Sequence, residues 1–311
     1  MRLERYVGNP ILQPQPKHLW ESKAVFNCAT VYNGGKVHML YRAIGEYDNY
    51  ISRIGYAVSR DGVNFVRNKE PIFTPKVEFD KGACEDPRIT KIDNKFYVTY
   101  VALCKPPFEG GKYVPNSTRI ALASTNNFRE FKRHGDITPK GAKERDAVFF
   151  PEKIKGRYVM LHRPRNWIGD KYGTKKPSIW IAYSNDLIHW YGHKIVMKPH
   201  EWWEFKQIGA GAPPIKTERG WLEFYHGVDK NHVYRLGVAL FDLADPSILL
   251  ARQGDPILEP EKCYEVHGDA SNIVFTCGAI RLGNQYYVYY GGADKVIGVA
   301  TVNVDKATDF Y

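Results

Sequence analysis

Residues 36–42 read KVHMLYR, and the pattern returns as KFYVTYV at 95–101, RYVMLHR at 157–163, GWLEFYH at 220–226 and QYYVYYG at 285–291. The starts lie 59, 62, 63 and 65 residues apart. Each copy follows a turn (NGG, IDN, IKG, TER, LGN). Each is rich in aromatic and β-branched residues, as a buried strand should be. A second set follows: RIGYAVS from Arg53, RIALAST from Arg119, SIWIAYS from Ser178, RLGVALF from Arg235 and VIGVATV from Val296. A third set ends in Pro14, Pro75, Pro139, Pro199 and Pro260, spaced 61, 64, 60 and 61 residues apart. Proline suits strand ends and edges, where no ladder N–H is needed.

Three markers thus keep one period of about 62 residues. A unit of several short strands cannot bury both faces alone, so neighbours must stack. Radial stacking of small antiparallel sheets is a β-propeller. The sequence therefore predicts an all-β, five-bladed β-propeller occupying residues 1–311 as one domain. The proline marker first appears at 9–14, ahead of any complete blade. The N-terminal strand is accordingly expected to finish the last blade and close the ring. A fivefold period argues against a two-sheet sandwich.

Composition narrows the function. Of 311 residues, 43% are hydrophobic and 25% charged, which suits a folded chain rather than a disordered one. No apolar run is long enough to span a membrane, and MRLERYVGNPILQP lacks the apolar core of a signal peptide. Five cysteines, with no CxxC pair, argue for reduced thiols and a cytoplasmic location. No His/Asp/Glu cluster has the spacing of a metal site. The net charge of +10 is dispersed along the chain, which favours a small anionic ligand over nucleic acid or a membrane surface. The sequence leaves the oligomeric state open, a homo-oligomer included. The 21 Tyr and 7 Trp fit β-structure and stacking surfaces for sugars or bases.

The innermost strand of each blade should precede the KVHMLYR-type strand. Those stretches are AVFNCATVY, ACEDPRITKI, ERDAVFFPEKI, IGAGAPPIKT and SNIVFTCGAI. Asn27 lies nine residues before Lys36, and Asp86 nine before Lys95, so both should reach the same depth of the central funnel. Asp86, Arg88, Arg145 and Asp146 would be costly there unless paired. The seventh positions of the second strands are Arg42, Val101, Arg163, His226 and Gly291. Arg163 and His226 share a phase, one blade apart. With Arg145 and Lys206 they could converge on one anion, because clustered cations repel unless a dianion such as phosphate lies between them. Singly, each residue has an ordinary explanation. Asp-Pro is often a turn, Arg145 could pair with Asp146 or Glu152, His226 could be a core histidine, and Lys206 could lie on the surface beside Trp202, Trp203 and Phe205.

The strings CEDPRIT, RDAVFFPEKIKGRYVMLHRP, KQIGAGAPPIKTERGWLEFYHGV, NIVFTCGA and YYGGADKVIGVAT resemble glycoside hydrolase family 130, the β-mannoside phosphorylases, over almost the whole chain. The stretch WESKAVFNCATVYNGGKVHMLYRAIGEYDNYISRIGYAVSRDG is more similar to members acting on β-1,2-mannosides than to the β-1,4 enzymes. The resemblance implies a five-bladed propeller that phosphorolyses non-reducing-end β-mannosides with inversion, releasing α-mannose 1-phosphate. Its partners would be carbohydrate and inorganic phosphate, the latter as co-substrate, with no cofactor. Asp86 would be the general acid, passing its proton through the mannose 3-hydroxyl. Arg145, Arg163, Lys206 and His226 match phosphate-holding positions. Asn27, Arg53 and Asp294 match mannose-binding positions, and Arg88 and Asp146 are counted with them as substrate-binding.

An inverting hydrolase needs an acid and a base with water between them. A phosphorylase replaces the base with electrostatic holding of an anion that is already nucleophilic. The cation set favours phosphorolysis. A β-mannosidase of the same family acting on β-1,2- or β-1,4-mannosides stays open, with Glu144, Asp146 or Glu265 as base. So does a carbohydrate-binding propeller without chemistry. A propeller glycosidase acting on arabinosides or fructosides would need three carboxylates on separate blades, and no convincing third is found. The segments 102–118 and 164–177 should shape the acceptor side.

Overall fold

The computed structural model describes residues 1–311 and is built from five small antiparallel sheets around a central axis. Blade 1 runs from the inside outward through Ala24–Asn33, Lys36–Ile44, Ser52–Ser59 and Val66–Arg67. Blade 2 uses Ala83–Ile92, Lys95–Leu103, Arg119–Thr125 and Lys132–Asp136, and blade 3 uses Glu144–Phe149, Tyr158–Pro164, Ile179–Ser184 and Tyr191–Met197. In blade 4 the inner strand is split into Gln207–Ala210 and Ile215–Lys216, both paired with Trp221–Val228. Pro213 and Pro214 lie in the gap, where they interrupt the ladder. Tyr234–Phe241 and Leu249–Arg252 complete that sheet.

Blade 5 is Val274–Leu282, Gln285–Gly292 and Val296–Asn303, and its outer strand is Glu4–Arg5 from the other end of the chain. Glu4 faces Thr301 and Arg5 faces Ala300. The N-terminal strand therefore closes the ring, as the early proline marker implied. That marker also has a structural meaning. Two residues before each marker proline, Leu12, Phe73, Ile137, Met197 and Leu258 bond or pair with Ile297, Ile54, Ile120, Ile179 and Leu236. Each of these partners is the second residue of its third-strand motif, so the repeat is one register used five times.

Stacking is needed because each sheet has two apolar faces. The five large clusters of buried hydrophobic side chains each bridge a neighbouring pair of blades. Leu40 and Ile54 meet Val98 and Ala121 between blades 1 and 2. Val101 and Ile120 meet Phe149 and Met160 between blades 2 and 3. Leu161 meets Tyr225 between blades 3 and 4, Leu236 meets Val288 between blades 4 and 5, and Met39 meets Val299 between blades 5 and 1. No blade has a complete core of its own. No helix is long and apolar enough to cross a membrane.

The closure carries one buried ion pair. Arg5 Nε and Nη2 donate to the two carboxylate oxygens of Glu265 at 2.8 and 2.9 Å, and Glu265 is fully buried. Burial pushes the Glu265 carboxyl up, but Arg5, two backbone N–H groups and Tyr290 outweigh it and hold it below its usual value. Arg5→Ala would leave that carboxylate without its cation. A loss of about 3 kcal/mol is expected, the usual scale for breaking a buried pair, read as a lower denaturation midpoint at unchanged m-value.

Candidate active site

Asn27, Asp86 and Asp146 occupy one equivalent place in blades 1, 2 and 3. Their φ values are +46, +47 and +61°. Each lies where the pairing register slips: between Phe26 and Ala29, Glu85 and Arg88, and Arg145 and Val148. A bulge re-aims a side chain, and Asn and Asp tolerate the left-handed region better than most residues. Here the bulges turn three polar side chains into the funnel. Pro87 follows Asp86 inside its strand, at the bulge, where a missing N–H is tolerated. The Asp-Pro pair is thus no surface turn. Asp146 stands eleven residues before Arg157 rather than nine, because its hairpin turn is longer. Residue counting hides its equivalence to Asn27 and Asp86.

Asp86 sits in a cage of donors. Its Oδ1 accepts from Asn27 Nδ2 at 2.8 Å and from Arg42 Nη1 at 3.2 Å. Its Oδ2 has only a 3.4 Å contact with Arg145 Nη1. Glu85, the adjacent residue, is gripped by Arg42 at 2.6 Å and Arg145 at 3.1 Å. Two arginines therefore serve two carboxylates. Burial pushes the Asp86 carboxyl up, but Arg42, Arg145 and the Asn27 amide outweigh it and hold the group below its usual value. Asp86 is thereby held as an ionised acceptor. Asp294, on the same cavity wall, goes the other way. Burial, reinforced by Asp86 and opposed by Arg42, lifts it to about 7.

Asp146 is held more tightly still. Arg88 Nη2 donates to its Oδ1 at 2.9 Å, and Arg163 donates to its Oδ2 through Nε at 2.7 Å and through Nη2. Burial opposes ionisation, but Arg163 and Arg88 hold the carboxyl well below the usual range. Gly209 lies against this pair, and a Cβ there would collide with Asp146 Oδ2 and the His226 ring.

Asn27, Asp86, Arg145 and Asp146 line one cavity together with Arg163, Lys206, His226 and Asp294. Its volume is about 350 Å³, in the range of small-molecule sites. Two expected sugar contacts fall outside it. Arg88 is buried beneath the floor, where it donates to the carbonyls of Asp86, Ala210 and Gly211 as well as to Asp146. It ties blades 2, 3 and 4 together and has little left to offer a sugar. Arg53 stays off the cavity wall, its Nη1 near the Ile51 carbonyl at 3.4 Å. The arginine that blade 1 supplies is Arg42, whose seventh-position phase with Arg163 and His226 was the available signal.

The cations divide by partner. Arg42 and Arg145 are committed to Glu85 and Asp86. Arg163 is committed through two nitrogens, but its buried Nη1 has no partner. Lys206 Nζ touches only His232 Nε2, and Arg165, an unanticipated member of the wall, makes no ion pair. His226 is buried with both ring nitrogens unpartnered, and its Nε2 lies 3.6 Å from Asp146 Oδ2. Burial pulls the ring down to about 3 despite that carboxylate, so it is neutral rather than a fourth cation. Asn27 Oδ1 is also buried and unpartnered. Buried polar atoms are normally satisfied. Arg163 Nη1, the His226 ring nitrogens and Asn27 Oδ1 belong to residues lining one cavity, which marks where a ligand's polar groups belong.

The candidate bases do not serve. Glu265 lies off the cavity in the short helix Cys263–Val266, held by Arg5. Glu144 is buried off the cavity, accepting from His162 Nδ1 at 2.8 Å. Asp146 does face the cavity, but two arginines hold its oxygens. No group of three or more His, Cys, Asp or Glu side chains is placed to hold a metal ion.

Residues 2–311 match a family model described as β-1,4-mannooligosaccharide phosphorylase. The chain is 45% identical over 310 residues to a 1,2-β-oligomannan phosphorylase of Thermoanaerobacter sp. (strain X514), covering 98% of each chain. It is also 45% identical over 317 residues to a β-1,2-mannobiose phosphorylase of the same organism, again at 98% of each. Among solved structures, the β-1,2-mannobiose phosphorylase of Listeria innocua in complex with β-1,2-mannobiose superposes with a TM-score of 0.84 at 29% identity, over 99% of this chain and 98% of that one.

Proposed function

Since the chain belongs to glycoside hydrolase family 130, we propose that it phosphorolyses β-1,2-linked manno-oligosaccharides from the non-reducing end, with inversion, to α-mannose 1-phosphate. The carrying observation is a set of groups with no carboxylate partner of their own (Arg163 Nη1, Lys206, Arg165 and the His226 ring nitrogens) lining the same cavity as the Asp86 carboxyl. The family relationship and the names of the relatives at 45% identity support the same reaction.

A phosphate oxygen attacks the anomeric carbon as its bond to the leaving oxygen breaks. The leaving oxygen takes a proton from the mannose 3-hydroxyl, which takes one from Asp86 Oδ2. Hydrogen phosphate's own proton then restores Asp86, so protons balance over the cycle. Oδ2 is the oxygen for this task, because Asn27 and Arg42 occupy Oδ1. Arg145, Arg163, Lys206 and His226 hold the phosphate, with the neutral imidazole donating one N–H. Asn27 Oδ1 and Asp294 bind mannose hydroxyls. Arg42, not Arg53, completes that wall, and Asp146 orients Arg163 and His226.

Phosphate also supplies the acid. A dianion beside Arg145 cancels part of the positive field that keeps Asp86 ionised, and a bound sugar removes water. Both raise the Asp86 pKa when a proton must be given. The reading includes a cytoplasmic enzyme with phosphate as its only added reactant; the five free cysteines, three of them buried, suit a reducing compartment.

The test is a panel of β-1,2-mannobiose, β-1,4-mannobiose and 4-O-β-mannosyl-glucose in phosphate buffer, with the product anomer read by NMR. α-Mannose 1-phosphate from the β-1,2 substrate is expected. Free mannose released at equal rate without phosphate would establish hydrolysis instead.

A further inference from the structure

The sugar that leaves must exit on the face opposite the attacking phosphate. The cations without carboxylate partners, Lys206 and Arg165, belong to the blade 3–4 side. The exit therefore lies towards blade 1, which blades 2 and 5 flank. A line of aromatic rings starts there. The Arg42 guanidinium lies 5.9 Å from the Tyr50 ring, Tyr50 lies 5.8 Å from Phe108, and Phe108 lies 6.0 Å from Tyr113. Each step is comparable to the length of one hexose. Tyr47 stacks on Tyr50 at 6.1 Å, and both hydroxyls reach Asp269, which also accepts from Lys295 at 2.9 Å.

These rings are not a small core. Tyr113 is 68% exposed and Tyr47 43% exposed. The hairpin Phe108–Glu109/Lys112–Tyr113 is held by its backbone: Phe108 N–H donates to Asn49 O at 3.3 Å and Gly111 N–H to Asp48 O at 2.8 Å. The Tyr113 ring is thus presented outward on a fixed support, the half-buried Phe108 and Tyr50 rings lead back from it edge to face or tilted, and Asp269 and Lys295 stand beside Tyr47 and Tyr50 for hydroxyls. Aromatic faces with a polar margin suit the apolar C–H faces and equatorial hydroxyls of a sugar chain.

Resting on the reaction proposed above, we infer that Tyr50, Phe108 and Tyr113 form a platform for the second and later sugars of the released chain, making the enzyme select oligosaccharides over disaccharides. Identity cannot choose between these substrates, since the relatives named for oligomannan and for mannobiose are equally similar at 45%. The platform does choose. Tyr50 receives the sugar next to the cleaved bond, and Phe108 and Tyr113 receive those beyond it.

The experiment compares β-1,2-mannobiose, -triose and -tetraose in wild type, Tyr113→Ala and Phe108→Ala/Tyr113→Ala. Initial phosphorolysis rates are measured at saturating phosphate, and calorimetric titration gives binding. Wild type should favour the tetrasaccharide over the disaccharide about tenfold in kcat/KM and in affinity. The double variant should bring that ratio close to one. A wild-type ratio near one, or a ratio the variants leave unchanged, overturns the platform while phosphorolysis stands. If none of the three is cleaved, the reaction assignment falls, and the binding ratio still decides the platform. Tyr113→Ala alone decides the matter if the double variant does not fold, because its ring is mostly exposed.

Discussion

Asp86→Asn is expected to lower phosphorolysis of β-1,2-mannobiose by about 10³-fold, within the span attributed to a positioned general acid. The amide keeps the shape of the side chain but has no acidic proton to pass. The fold should survive, because Glu85 remains to neutralise Arg42 and Arg145, at 2.6 and 3.1 Å. A mannoside with an activated aryl leaving group, whose departure needs no proton, should lose far less. A variant with wild-type turnover, or one equally impaired on both substrates, would remove Asp86 from the acid role. The pH profile supplies a second reading. Asp86 is held below its usual value in the free enzyme, so the fraction carrying a proton there falls as pH rises through that depressed value. Bound phosphate and sugar raise it. The alkaline limb of kcat at saturating phosphate should therefore lie at higher pH than that of kcat/KM measured at low phosphate. Coincident limbs would mean that phosphate does not tune the acid.

Lys206→Ala should raise the KM for phosphate about ten- to a hundredfold, the range expected from losing a charge-assisted contact of ~1.5–3 kcal/mol. The KM for the mannoside should stay within about threefold. Lys206 is the clean probe because it holds no carboxylate of the protein, only His232. Arg163 is less clean, since Asp146 depends on two of its nitrogens. Equal changes in both KM values would disperse the phosphate pocket.

The fold was legible because it is written five times. Leu12, Phe73, Ile137, Met197 and Leu258 each stand two residues before their marker proline, and each meets the same position of a third strand. Local pattern and pairing register agree, so spacing alone carries the architecture. The site was legible where it follows the same phase. Asn27 and Asp86, equal in count, are bonded at 2.8 Å, and Arg163 and His226 both approach Asp146. It was hidden where the turns differ in length, as at Asp146, or where charge alone cannot tell an arginine that faces ligand from one that ties carbonyls together, as with Arg42 and Arg88.

By itself, then, the sequence determined the number of blades, the order of their strands and the closure by the N-terminus. These follow from periodicity, which is a property of the chain alone. Only the tertiary structure decided which charges remain available: that Glu85 shares Arg42 and Arg145 with Asp86, that Asp146 takes two nitrogens of Arg163, and that His226 is neutral. Charge state and free hydrogen-bonding capacity depend on what lies within a few ångströms, and those neighbours come from segments 17 to 60 residues apart in the chain.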